Sequence, residues 1–307
     1  MKKRKLGKSN VLVSELGLGC MSIGTDEKKA LEIIHAALEE GINYFDTADL
    51  YDHGLNEKII GQALKHVREN VVIATKAGNR WNQEGGGWFW DPSKTYIKEA
   101  VKSSLQRLGT DYIDLCQLHG GTLEDPISET IEAFEELKAE GFIRSYGISS
   151  IRPNVIREYI QKSSIDSVMM QYSILDRRPE EESVPLLYQH GISVVTRGPL
   201  AKGLLSNRSL DKVSLSMKEN GYLDYSWAEL NELLIMLKKK FESSRSMTEV
   251  SLQFNLANPA VTAVVAGASS TKQLRENARA VNGDPLSKEE VSLIKEISKL
   301  TKFQQHR

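Results

Sequence analysis

Three apolar runs in this chain end on an ionisable side chain: Ile42 to Asp46, Val71 to Lys76 and Ile113 to His119. Tyr51 follows shortly after the first. In each run the ionisable residue stands at the C-terminal end. If the runs are strands of one sheet, a carboxylate, an ammonium, an imidazole and a phenol collect at one edge. Such a set can hold, orient and move a proton, so it points to an enzyme. Asp49, Asp52 and His53 crowd the same loop as Tyr51 and are its rivals. The histidines His35, His53, His66, His119, His190 and His306 form none of the i, i+4 pairs or Cys/His clusters that zinc favours, so no metal is expected.

The elements that must position these groups alternate. Lys5 to Val13 reads as a hairpin around Gly7-Lys8-Ser9-Asn10, and Leu16 to Gly19 as a strand. Lys28 to Glu40 repeats apolar residues at helical spacing and stops at Gly41. A helix through Ile59 and Leu64 follows the Asp46 strand, one to Leu108 follows the Lys76 strand, and one from Ser128 to Glu140 follows the His119 strand. Strands over Ser145–Ser149, Ser167–Gln171, Ile192–Thr196 and Ala263–Ala266 continue the rhythm. Their helices are expected over Pro153–Gln161, Glu180–His190, Trp227–Phe241, Thr248–Ala257 and Thr271–Val281, with a last one over Ser287–Leu300.

Strands apolar on both faces and separated by helices indicate a parallel sheet covered by helices. Eight such units predict one closed (β/α)8 barrel over residues 1–307, with an N-terminal hairpin and extra C-terminal helices. The competing open sheet usually carries a Gly-rich first turn, and Gly17-Leu18-Gly19-Cys20-Met21-Ser22 lacks its third glycine. Active sites of such barrels lie at the strand C-termini. There the Gly78–Asp91 loop, with Trp81, Gly85-Gly86-Gly87, Trp88 and Trp90, reads as a mobile apolar wall of a substrate pocket.

The chain has 307 residues, with 40 basic against 41 acidic side chains, so nothing suggests a grip on nucleic acid. Cys20 and Cys116 lie in apolar stretches and read as buried, reduced thiols. Met1 to Lys5 is basic like the start of a signal peptide, but no long apolar run follows, and no run is long enough to span a bilayer. A cytoplasmic protein is expected.

Phe45-Asp46-Thr47-Ala48-Asp49-Leu50-Tyr51, Ala74-Thr75-Lys76, Leu115-Cys116-Gln117-Leu118-His119, Gly147-Ile148-Ser149-Ser150, Gln171-Tyr172-Ser173 and Gly267 to Asn277 together resemble the aldo-keto reductases, in order and over nearly the whole chain. The resemblance implies an NADP(H)-dependent reductase of small aldehydes or ketones. Tyr51 would be the proton donor, Lys76 would lower its pKa, Asp46 would hold Lys76, and His119 would orient the carbonyl. The cofactor would lie across the barrel mouth. Ser149, Ser150 and Gln171 match carboxamide contacts, Ser150 standing where the family commonly has Asn. Arg197 stands where an aromatic ring often stacks on the nicotinamide, and Gly198, Leu200 and Lys202 match the loop over the pyrophosphate. Gly267, Ser269, Gln273 and Asn277 match the adenosine end, where Ser269 and Ser270 precede a helix start. Other members carry Lys or Arg at the positions of Gly267 and Gln273; Lys272 and Arg275 are nearby cations. Two other readings stand beside this one: a cofactor-binding regulatory subunit with little turnover, and an aldolase using Lys76 as a Schiff-base amine.

Overall fold

A computed structural model describes residues 1–82, 86–207 and 213–307. A hairpin of β1 (Lys3–Lys5) and β2 (Leu12–Ser14) comes first. β3 (Leu16–Gly19) leads into α1 (Glu27–Glu39), and β4 (Tyr44–Asp46) into α2 (Leu55–Leu64). β5 (Val72–Ala77) runs into a second hairpin, β6 (Asn79–Trp81) with β7 (Trp88–Trp90), and then α3 (Lys94–Leu108). β8 (Ile113–Leu118), β9 (Ile143–Ser149) and β10 (Ser167–Gln171) are followed by α4 (Ile127–Ala139), α5 (Pro153–Lys162) and α6 (Ser183–Gln189). After β11 (Ser193–Arg197) come α7 (Leu215–Asn220), α8 (Trp227–Phe241) and α9 (Met247–Leu256). β12 (Val261–Gly267), α10 (Thr271–Asn282) and α11 (Lys288–Ile297) end the chain's regular structure.

The parallel strands close in the order β10-β11-β12-β3-β4-β5-β8-β9, which is the predicted (β/α)8 barrel. Helix starts follow local chemistry. Ser226 and Ser287 form capping boxes with Glu229 and Glu290, and Ser93 and Ser270 cap α3 and α10. The helix expected over 180–190 is shorter, because Glu182 at φ −142 separates a 3₁₀ turn at Arg178–Glu180 from α6. Among the described residues no helix is long and apolar enough to cross a membrane.

Period-2 alternation divides the apolar residues between two cores. One parity of each strand packs outward against the helices, as Phe45, Ile73, Cys116 and Val194 do. The other fills the barrel with Tyr44, Ala74, Leu115, Met169, Val195 and Val265. Leu6, Val11 and Val13 of the first hairpin join this inner cluster and plug the N-terminal mouth. The parity then dictates what faces the opposite mouth. Two residues beyond those inner side chains stand Asp46, Lys76, Gln117, Gln171, Arg197 and Gly267. Register carries them round one rim: Lys76 lies opposite Gln117, Gln171 opposite Arg197, and Gly267 opposite Gly19.

Candidate active site

Asp46 is the last residue of β4 and Lys76 the penultimate residue of β5, both fully buried. Lys76 Nζ donates to Asp46 Oδ1 at 2.6 Å and to the Thr47 carbonyl at 2.6 Å. Burial draws the Lys76 pKa down, but Asp46 and Tyr51 outweigh it and leave the ammonium more firmly protonated than a free lysine. Tyr51 begins the 3₁₀ turn after β4. The Lys76 amine lies 5.2 Å from its ring centroid, close enough for the two groups to act on each other electrostatically. His119 follows β8, and its ring meets Tyr51 edge-on at 6.1 Å between centroids. The strands thus bring the four predicted groups together.

The turn holding Tyr51 is tight. Asp52 and His53 take left-handed φ of +49° and +53°. Gly54 follows at φ +81°, where a Cβ would stand 2.5 Å from Arg107 Cδ. Asp52 and His53 are exposed, and the His53 ring stacks on Trp81 at 3.7 Å. That contact ties the Tyr51 turn to the β6–β7 hairpin.

One sequence expectation is corrected here. Lys76 does favour the Tyr51 phenolate, but burial outweighs it, and the phenol's pKa is raised rather than lowered. A phenolate would lose most of its hydration in this setting, and the Asp46 carboxylate opposes it further. Tyr51 is therefore held protonated. His119 is pushed the other way, to about 3, first by burial and then by the positive charges of Lys76 and Arg197. It is a neutral imidazole throughout the ordinary pH range, and its buried Nδ1 has no partner among the described residues.

Asp49 is buried beside this group, with its backbone N–H donating to the Lys76 carbonyl at 3.2 Å. Burial and the nearby Glu57 raise its carboxyl pKa to about 7. Glu57 is itself fully buried and accepts from the Thr75 hydroxyl and from Arg107 Nε, each at 2.6 Å. These carboxylates stand behind Lys76, so Asp49 supports the strand that carries the amine.

Two cavities flank the tetrad. One, of about 560 Å³, is lined by Gly198, Leu200, Lys202, Gly267, Ser269, Gln273 and Asn277, all of which the sequence reading places on a cofactor. Ser270 caps α10 by accepting from Gln273 N. Ser269 donates from its backbone and hydroxyl to Gln273 Oε1 at 2.9 and 3.0 Å, and Asn277 Nδ2 donates to the Gly267 carbonyl at 3.3 Å. Lys202, at φ +57°, and Lys272 line the same groove. Arg275 does not: it reaches α1 and pairs with Glu39 at 2.9 Å, so it is no substitute for a groove cation. The N-terminus of α10, two lysines and a glycine-edged loop suit an extended anionic dinucleotide.

The other cavity, about 360 Å³, opens over His119 and is lined by Ser149, Ser150, Arg197, Trp88 and Trp90. Arg197 Nη1 donates to Gln171 Oε1 at 3.1 Å, so these two expected cofactor contacts act as one unit. The Ser150 hydroxyl accepts from Arg152 N at 3.3 Å. The two described arms of the tryptophan loop pair antiparallel, Asn79 opposite Trp90, and the Trp90 indole donates to Asp125 at 2.8 Å. Gly78 opens it at φ +122°, where a Cβ would meet the Trp90 ring at 2.8 Å. Gly85 of the triple glycine lies outside the described residues. The sequence reading assigned no role to Gln117 or Arg152. Gln117 shares the rim parity and is fully buried with both side-chain polar atoms unpartnered among the described residues. Alternation two residues before His119 was its signal; Arg152, in the loop after β9, had none.

Comparison with known proteins places this arrangement. The model of the Aldo/keto reductase family matches residues 15–299. The chain is 59% identical over 307 residues, all of both chains, to the uncharacterized oxidoreductase YqkF of Bacillus subtilis (strain 168). It is 33% identical to an NADH-specific methylglyoxal reductase of Escherichia coli (strain K12), covering 97% of this chain and 98% of that one. The holo form of aldo-keto reductase AKR11C1 from Bacillus halodurans superposes with a TM-score of 0.94 at 58% identity, covering 100% of this chain and 99% of the other. The chain belongs to the aldo/keto reductase family, an oxidoreductase family acting on carbonyl compounds with a nicotinamide cofactor.

Proposed function

We propose that this reductase uses NADP(H) to convert an aldehyde or ketone to an alcohol, with Tyr51 as the general acid. The observation that carries the reading is the buried Asp46–Lys76–Tyr51 chain, with His119 edge-on to the phenol. A reduced nicotinamide supplies the hydride, which no side chain can donate. Tyr51 gives its proton to the carbonyl oxygen as charge develops there. The Lys76 ammonium, held by Asp46, stabilises the phenolate left behind. Neutral His119 donates an N–H that fixes the oxygen's position. Lys76 is a poor candidate for a Schiff-base amine. That chemistry needs a lowered lysine pKa, and here the pKa is raised by two acidic partners.

In this reading Ser149, Ser150 and Gln171 take the carboxamide, and the Arg197 guanidinium lies against the ring. Gly198, Leu200 and Lys202 cover the pyrophosphate. Gly267, Ser269, Gln273 and Asn277 hold the adenosine end, with Lys272 and the start of α10 facing the 2'-phosphate. The test is oxidation of NADPH and of NADH with methylglyoxal and a panel of simple aldehydes, beside fluorescence titration of both cofactors. Tighter binding of NADPH and turnover abolished in Tyr51→Phe with binding retained support the reading. Equal turnover in Tyr51→Phe removes that residue from its role, and tighter NADH binding reverses the cofactor assignment.

A further inference from the structure

The smaller cavity carries a charge pattern that carbonyl reduction alone does not require. Among its lining residues are two guanidiniums, Arg152 and Arg197, and not one carboxylate. Arg197 is engaged with Gln171 on the rim. Arg152 stands further out, in the loop between β9 and α5, on the same cavity as His119. Its Nη1 donates to the Gly121 carbonyl at 2.8 Å, which anchors one edge of the guanidinium. No carboxylate among the described residues pairs with it. Exposed Glu124 feels its charge through space but makes no contact with it. Trp88 and Trp90 form the wall beside it.

A half-buried guanidinium fixed at one edge and unpaired at the other is a receptor for a planar anion. The surrounding potential is positive enough to help hold His119 neutral, since both Lys76 and Arg197 act on it in that direction. Resting on the carbonyl-reductase reading above, we infer that the preferred substrate is an oxo-acid, an aldehyde or ketone bearing a carboxylate. Its carbonyl sits at Tyr51 and His119, its short apolar linker lies along Trp88 and Trp90, and its carboxylate meets Arg152. The carboxylate is a spectator in the reaction: hydride adds to the carbonyl carbon, the Tyr51 proton goes to the oxygen, and the product is a hydroxy-acid.

The experiment compares 4-oxobutanoate with its methyl ester, which keeps the chain and removes the charge. Both are measured on the wild type, Arg152→Met and Arg152→Lys. Binding of 4-hydroxybutanoate to the NADP-loaded protein is followed in parallel by tryptophan fluorescence. The wild type is expected to favour the acid by at least about tenfold in kcat/KM, the scale of one charge-assisted contact. Arg152→Met should erase that preference through KM, leave the ester within about twofold, and weaken hydroxy-acid binding to match; Arg152→Lys should restore part of it. Equal kcat/KM for acid and ester in the wild type, or hydroxy-acid binding unchanged in Arg152→Met, overturns the inference. If neither carbonyl is reduced, the reaction assignment fails, and the fluorescence titration still decides the carboxylate site.

Discussion

The two mouths of the barrel differ in an instructive way. The N-terminal mouth carries the larger cavity, about 1110 Å³, against about 560 and 360 Å³ at the other end. Yet one of the two buried carboxylates lining it is fully paired. Asp114 accepts from Arg68 at 2.8 Å, from Arg144 at 3.1 Å and from the Ile73 backbone at 3.0 Å. The other, Asp166, has one buried oxygen with no hydrogen-bond partner among the described residues, and Lys138 stands 3.9 Å from it. At the C-terminal mouth, Asp46, Asp49, Gln117 and His119 all keep buried polar atoms without hydrogen-bond partners among the described residues, and Tyr51, Lys76, Asp49 and His119 are all displaced from their ordinary pKa. Volume alone would choose the N-terminal end. Unsatisfied, perturbed groups point to the opposite one, where the proposed site lies, because chemistry needs polar atoms whose bonding is left for the reactant.

This contrast can be broken by mutation. The largest effect is expected for Tyr51→Phe, with turnover down by about 10²–10⁴-fold, the usual yield of a positioned acid, and little change in urea midpoint. Comparable turnover in the two proteins would place the chemistry elsewhere. Next is Lys76→Met, which strands the Asp46 carboxylate in the barrel and should cost about 3–5 kcal/mol in urea unfolding. Adding Asp46→Asn should recover part of that loss; if it adds a further cost instead, the pair is not what the lysine stabilises. At the plugged end, Leu6→Ala should cost about 2–5 kcal/mol while leaving KM unchanged, since Leu6 is fully buried in the inner cluster.

The pH dependence sharpens the same comparison. The Asp49 carboxyl is held near 7 in the fold, against about 4 in an unfolded chain. Between those values the folded state keeps a proton that the unfolded state has released. Stability from this group therefore falls as pH rises from about 4 to 7, and the penalty stays constant above. Asp49→Asn should then stabilise by about 4 kcal/mol at pH 8 and by nothing at pH 4, as read from paired urea melts. A gap that persists at pH 4 would mean that Asp49 acts through packing. The smallest effect is expected for Arg144→Met. Its side chain is half exposed and Asp114 keeps Arg68, so the change should stay under about 1 kcal/mol with kcat unaltered.

Much of the site was legible because strand periodicity is local. A residue two beyond an inward-facing one also faces inward, so Asp46 and Lys76 could be placed on one rim without coordinates, while Gln171 came from the family resemblance. Gln117 obeys the same rule, but it carries no charge and the family resemblance assigns it no role. Three features resisted for physical reasons. The net direction of the Tyr51 shift depends on burial from every side, and burial is a sum over distant segments. The β6–β7 hairpin rests on Asn79 pairing with Trp90 and on Trp90 reaching Asp125, contacts across the chain that loop composition does not announce. Arg275 looked free in the sequence and is claimed by Glu39 on α1, which α10 meets only once the barrel closes.

By itself the sequence determined the order of strands and helices, the closed barrel, and which side chains would share a rim. These follow from apolar periodicity and the stops between elements, which are properties of neighbouring residues. Only the tertiary structure decided how strongly each of those side chains holds its proton and which charges remain free to meet a substrate. Both depend on how much water is excluded and on which partner arrives from elsewhere in the chain, and no stretch of neighbouring residues contains that information.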